Sequence, residues 1–147
     1  MPQPDDCTFY SQCLEPRYNC GSTGYPLGYG YYYCNKFEAV KPQLSTAGQA
    51  WVTDTMLCLQ NALVPEALGQ SSAVQGCQNL WDYAFSTHAG CYLQSGICLL
   101  PPNDWLIIVQ TIGVENLVTN FQALIQAVET AVACLAFYEW LLGYIII

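Results

Sequence analysis

Nine cysteines in 147 residues constrain this chain more than any other feature. They stand at positions 7, 13, 20, 34, 58, 77, 91, 98 and 134, spread over nearly the whole length. Thiols in such number hold a metal, carry redox chemistry or close disulfides. Structural zinc favours C-x-x-C knuckles completed by Cys or His pairs. Here there is no C-x-x-C, and the one histidine is His88. The same missing motif excludes a thioredoxin-like redox centre. Disulfides remain, and with them an oxidising compartment. No metal or other cofactor is expected. The opening MPQPDDC is polar and acidic, with neither a basic start nor an apolar run, so the expectation is a mature secreted chain whose leader is absent from this sequence.

The charge balance narrows the partners. The formal net charge is −8, and Arg17, Lys36 and Lys41 are the only basic side chains. Binding to a nucleic-acid backbone needs clustered Lys and Arg to displace counterions, so nucleic acid is excluded as a partner. Attraction to an anionic membrane surface fails for the same reason. With 53% hydrophobic and 10% charged residues, the chain can bury a modest core as a single domain over 1–147.

Along the chain, residues 1–44 mix Pro, Gly, Tyr and Cys without a period, as in GSTGYPLGYGYYY. They read as an irregular, stapled N-terminal segment. From 45 to 147 the pattern is helical. Thr46 and Gln49 resemble a capping box, and Trp51, Cys58, Leu59, Ala62 and Leu63 recur at helical spacing until Pro65. A second helix carries Cys77, Leu80, Trp81, Ala84 and Phe85 and closes near the HAG of 88–90. After PPND, where Asn103 or Asp104 can cap, a long helical region runs from Trp105 to about 145. In it Leu117, Phe121, Leu124, Val128, Val132 and Leu135 form an apolar stripe, with Gln122, Gln126 and Glu129 largely off it. No strand and no internal repeat is evident. The predicted class is all-α.

The stretch AFYEWLLGYIII is unusually apolar for the end of a domain. A membrane span needs ~20 apolar residues, and Glu129 and Glu139 interrupt this one, so a membrane is not the expected partner. A neighbouring copy of the chain is expected to cover Phe137, Tyr138, Trp140, Leu141, Tyr144, Ile145, Ile146 and Ile147.

The order of cysteines, with the text between them, resembles the stanniocalcin family over residues 7–134. The intervals from Cys34 to Cys58, Cys77 to Cys91, Cys91 to Cys98 and Cys98 to Cys134 are similar. So are the segments CNKF, GQAWV, LCLQNAL and CY, and the close triplet in CTFYSQCLEPRYNC. The resemblance implies a secreted, mainly helical, disulfide-rich homodimeric glycoprotein of the kind linked to calcium and phosphate balance. Carried over by position, it implies the pairs Cys7–Cys34, Cys20–Cys77, Cys58–Cys91 and Cys98–Cys134, each contributing ~2–4 kcal/mol. Cys13 is left free or available to a neighbouring chain. The chain departs from the family in having no N-x-[ST] sequon, no basic polar C-terminal region and no dimer-linking cysteine.

Few other residues suggest chemistry. His88 stands alone in an expected loop, without a nucleophile motif, and reads as structural; no catalytic residue is expected. The carboxylates include no D-x-D-x-D-G loop. Tyr25, Tyr29, Tyr31, Tyr32 and Tyr33 are either a lid over the bridges or an aromatic surface for a partner or stacked glycan. Ser and Thr at 22–23, 45–46 and 71–72 are candidates for O-linked glycans.

Three functions fit these observations. The favoured one is a secreted, non-enzymatic protein that self-associates, as a dimer or as the subunit of an extended extracellular fibril. The second is a soluble stanniocalcin-like hormone or regulator. The third is a small lipid- or sterol-binding protein.

Overall fold

The computed structural model describes residues 1–71 and 74–146, with side chains described as far as Gly143. It is helical throughout, with no strand among the described residues. The elements are α1 (Glu15–Tyr18), α2 (Tyr32–Val40), α3 (Thr46–Asn61), α4 (Val64–Ala67), α5 (Cys77–Ser86), α6 (His88–Gln94), α7 (Pro102–Ile112), α8 (Val114–Thr119) and α9 (Phe121–Ile146). The all-α, disulfide-stapled class is as predicted.

The N-terminal segment departs from its irregular expectation. Tyr10–Leu14 and Tyr25–Tyr31 are wound as wide π turns that run directly into α1 and α2. Such turns hydrogen-bond one residue further along than an α-helix, so their apolar residues miss the 3.6 period by which a helix is recognised in sequence. Gly30 shows why this stretch is glycine-rich. The Tyr10 ring lies against its backbone so closely that a Cβ there would fall 2.5 Å from the ring carbons.

The helix starts also differ from expectation in an instructive way. Ser45, not Thr46, caps α3, its hydroxyl oxygen accepting from the Gly48 N–H at 3.1 Å. Gln49 instead donates to the Leu44 carbonyl. Asp104 does not cap its own helix, which already begins at Pro102. Its buried carboxylate crosses to α3, accepting from the Ser45 N–H at 3.0 Å and from the Ser45 hydroxyl. The start of α7 thus clamps the start of α3. Gly48 must be small here, since a Cβ would meet the Asp104 carboxylate at 2.5 Å.

The remaining boundaries shift modestly. α3 ends at Asn61, and Pro65 falls in the first turn of α4, where its missing N–H costs nothing. The HAG of 88–90 opens α6 rather than closing α5. The long helical region divides into α7, α8 and α9, with breaks at Gly113 and Asn120.

The core is aromatic. Tyr10, Tyr25, Tyr29, Phe85 and Trp51 are buried, together with Leu14, Val52, Leu59, Leu63 and Leu80. Tyr25 lies nearly parallel to Tyr29, with ring centroids 5.8 Å apart, and meets Phe85 edge to face at 5.5 Å. The Trp51 indole N–H donates to the Tyr92 carbonyl at 3.1 Å. Buried aromatic polar tips find partners in this way, as a dry core requires.

Candidate functional site

The structure brings the eight framework cysteines together as Cys7–Cys34, Cys20–Cys77, Cys58–Cys91 and Cys98–Cys134. These bridges tie the N-terminal turns to α2 and α5, α3 to α6, and the turn before α7 to α9. They close 27, 57, 33 and 36 residues of chain, for which chain entropy gives about 3.5–4 kcal/mol apiece. Cys13 is a half-buried free thiol. Four bridges of this kind are consistent with an extracellular or other oxidising setting.

His88 lies in a helix rather than a loop, buried at the start of α6. Both its ring nitrogens are engaged: Nε2 with the Tyr25 hydroxyl at 2.9 Å and Nδ1 with the Tyr92 hydroxyl at 3.2 Å. Burial pushes its pKa down to about 3. Burial likewise raises the phenols around it, Tyr29 to about 12 and Tyr25 well above its ordinary value. A neutral imidazole carries one donor and one acceptor, and two hydroxyls complete both. This cluster positions α6 and offers no proton near neutral pH.

The tyrosine set therefore separates. Tyr25 and Tyr29 belong to the core, so they present no surface to a partner or glycan. The physical reason is their four-residue spacing, which turns both rings inward onto Phe85 and Trp81. Tyr31 and Tyr33 are half-buried and Tyr32 is exposed, with the Lys36 ammonium over the Tyr32 and Tyr33 rings. Among the glycan candidates, Ser22 and Thr23 are exposed, the Ser45 hydroxyl is held by Asp104, and Ser72 lies outside the described residues.

The most informative surface is α9. This helix packs against α5, α6 and α8, but with the face opposite to the one its pattern suggests. The buried positions are Ala123, Gln126, Thr130 and Cys134. Gln126 accepts the Ala89 N–H through Oε1 at 2.9 Å, and the Thr130 hydroxyl donates back to the Gln126 carbonyl. Gln122 donates to Asp82 at 3.1 Å. The predicted apolar stripe is turned outward: Phe121 is 71% exposed, Val128 52%, Val132 61% and Leu135 57%. Leu124 is exposed as well, and only Leu117, on α8, is half-buried. A small, polar inner face reverses the usual order of an amphipathic helix. The reason is local. Cys134 is held by Cys98, and α6 offers an unpaired N–H at Ala89 that only a polar side chain can satisfy.

Further along, Phe137 and Leu141 are half-buried, while Tyr138 and Trp140 are exposed. The Tyr138 hydroxyl donates to the Cys98 carbonyl. Beside this stretch an open apolar groove of about 430 Å³ lies between Leu100, Trp105, Leu135 and Tyr138. The side chains of Tyr144, Ile145 and Ile146, and all of Ile147, lie outside the described residues. By length and composition, Phe121–Gly143 is apolar enough to cross a membrane; its 18-residue apolar stretch has a mean hydropathy of 1.4 and is 22% buried.

No family model, curated protein or solved structure matches this chain. The class defined by fold and bridges is a helical, disulfide-stapled domain with an uncovered apolar helix face.

Proposed function

We propose that the chain is a secreted, non-catalytic, stanniocalcin-like protein that works by self-association, through the outer face of α9. One observation carries this reading. A helix with its polar, small face in the core and its large apolar residues in water has surface left over for a partner. Sequence alone supplies the family likeness, through the cysteine order over residues 7–134.

Alternative occupants fit less well. A bilayer would have to accept Glu129 and Glu139, each costly in hydrocarbon, on a helix already fastened along one side by Gln126 and the Cys98–Cys134 bridge. No basic residue follows Lys41 to hold anionic headgroups. For a lipid or sterol carrier, the part-open cavity beside Tyr10, Tyr25 and His88 is small, at about 20 Å³, room for one water.

The reading is tested by light scattering on size-separated protein. The wild type should elute as a dimer or larger species. A variant carrying Leu124→Gln, Val128→Gln and Val132→Gln should elute as a monomer with unchanged helicity. A wild type that is monomeric throughout the micromolar range would sink the proposal.

A further inference from the structure

Resting on that reading, we infer that the partner of α9 is α9 of a second copy, docked as a two-stranded coiled coil. The inference comes from the spacing of what is exposed. Phe121, Val128, Leu135 and Leu142 recur every seven residues, and each is more than half exposed. Leu124, Ala131 and Tyr138 recur with the same period, offset by three, and are exposed too. These are the a and d positions of a heptad, the pattern by which one helix keeps a single seam against another. The seam runs for three heptads, about 33 Å of helix.

The flanking residues favour a helix over any flatter partner. In this register Glu129 is at b and Glu139 at e, both exposed and beside the seam rather than in it. A narrow helix pair leaves both carboxylates in water, whereas a lipid surface would immerse them. The inward-facing residues Ala123, Gln126, Thr130 and Cys134 fall at c, f, c and g. The domain thus lies mainly along the c, f and g side; where it reaches the seam, Ala131, Leu135 and Tyr138 border an open groove with Leu100, Pro102 and Trp105, and the Tyr138 hydroxyl donates to the Cys98 carbonyl. A standard specific interface buries about 800 Å² per partner, and the large, exposed Phe121, Val128, Leu135 and Leu142 are the kind of side chain that supplies it. Because both copies present the same helix, the contact is self-complementary and closes at two chains rather than growing into a fibre.

Val128 and Val132 make a matched test. They are the same residue, one turn apart, both outward and similarly exposed, but Val128 is at a and Val132 at e. Sedimentation equilibrium would be run on the wild type, Val128→Asp and Val132→Asp, with circular dichroism to verify the fold. A coiled coil predicts that Val128→Asp raises the dimer dissociation constant on the order of 100-fold or more, since an unpaired carboxylate enters the seam from each chain. Val132→Asp should raise it about 10-fold or less. Equal effects would overturn the coiled coil while leaving self-association through this face intact. A monomeric wild type would overturn both. Flotation of a monomeric wild type with phosphatidylcholine vesicles, abolished by Val128→Asp, would assign the face to lipid instead and overturn the inference.

Discussion

Acid should unfold this protein through a single buried imidazole. His88 is held neutral between the hydroxyls of Tyr25 and Tyr92, with no carboxylate among the side chains it touches. Its pKa falls from 6.5 in the free side chain to about 3 in the fold, because burial disfavours the charged ring. Between those values the unfolded chain binds a proton that the folded chain refuses, so the unfolded state gains on acidification. Stability contributed by His88 is therefore complete above pH 6.5 and declines as the pH falls towards 3. The slope approaches about 1.4 kcal/mol per pH unit. At pH 4.5 the loss is about 3 kcal/mol, and over the whole span about 5 kcal/mol, a large share of what a domain of this size possesses.

The assay is urea denaturation at pH 7 and pH 4.5, on the wild type and on His88→Phe. The variant removes the hydrogen bonds that His88 makes with the Tyr25 and Tyr92 hydroxyls, of which Tyr25 keeps its bond with Tyr10, and should be less stable at pH 7 by about 1–3 kcal/mol. It should then fall less on acidification, so the gap between the two proteins closes or reverses by about 3 kcal/mol at pH 4.5. Asp5 and Asp6, whose pKa values are lowered by hydrogen bonds from Lys41 and Thr8, also lose stability in acid. They are common to both proteins and cancel in the difference. A gap that stays constant between the two pH values would refute the reasoning.

Three further substitutions probe the packing of α3, of the N-terminal turns and of α9. Asp104→Ala should cost about 2–3 kcal/mol in urea denaturation, because it strips the Ser45 N–H and hydroxyl of their buried acceptor. A double-mutant cycle with Ser45→Ala should show strong non-additivity. Gly30→Ala should cost about 1–3 kcal/mol, as its methyl group meets the Tyr10 ring. Gln126→Leu adds apolar surface to the core, yet it should destabilise by about 1–3 kcal/mol by orphaning the Ala89 N–H. A thermally more stable Gln126→Leu would contradict the account of why α9 faces as it does.

Helicity was legible in the sequence wherever apolar residues kept a 3.6-residue period, as in Trp51 to Leu63 and Cys77 to Phe85. The winding of residues 10–14 and 25–31 was not, since π turns break that period and glycine-rich text looks like a loop. Nor did periodicity reveal which side of α9 faces the core. A stripe of Phe121, Leu124, Val128 and Val132 marks a surface that seeks cover without saying what covers it. The decision lies in long-range chemistry: the Cys98–Cys134 bridge and the Ala89 N–H that Gln126 satisfies. Asp104 illustrates the same limit. Its position after two prolines suggests a local cap, and only the tertiary fold turns it to Ser45. His88 gave no sequence signal of burial, because both its partners, Tyr25 and Tyr92, are distant or hidden within ordinary helical text.

Whether the outer face of α9 is covered in solution is the central question, and methyl NMR with a soluble paramagnetic probe addresses it directly. Val118, on α8, is exposed and outside the proposed seam, and serves as an internal reference. As protein concentration rises, the relaxation induced at Val128, Leu135 and Leu142 should fall several-fold while that at Val118 holds. Methyl groups of Val128 and Leu135 that stay as accessible as Val118 at every concentration would contradict the account.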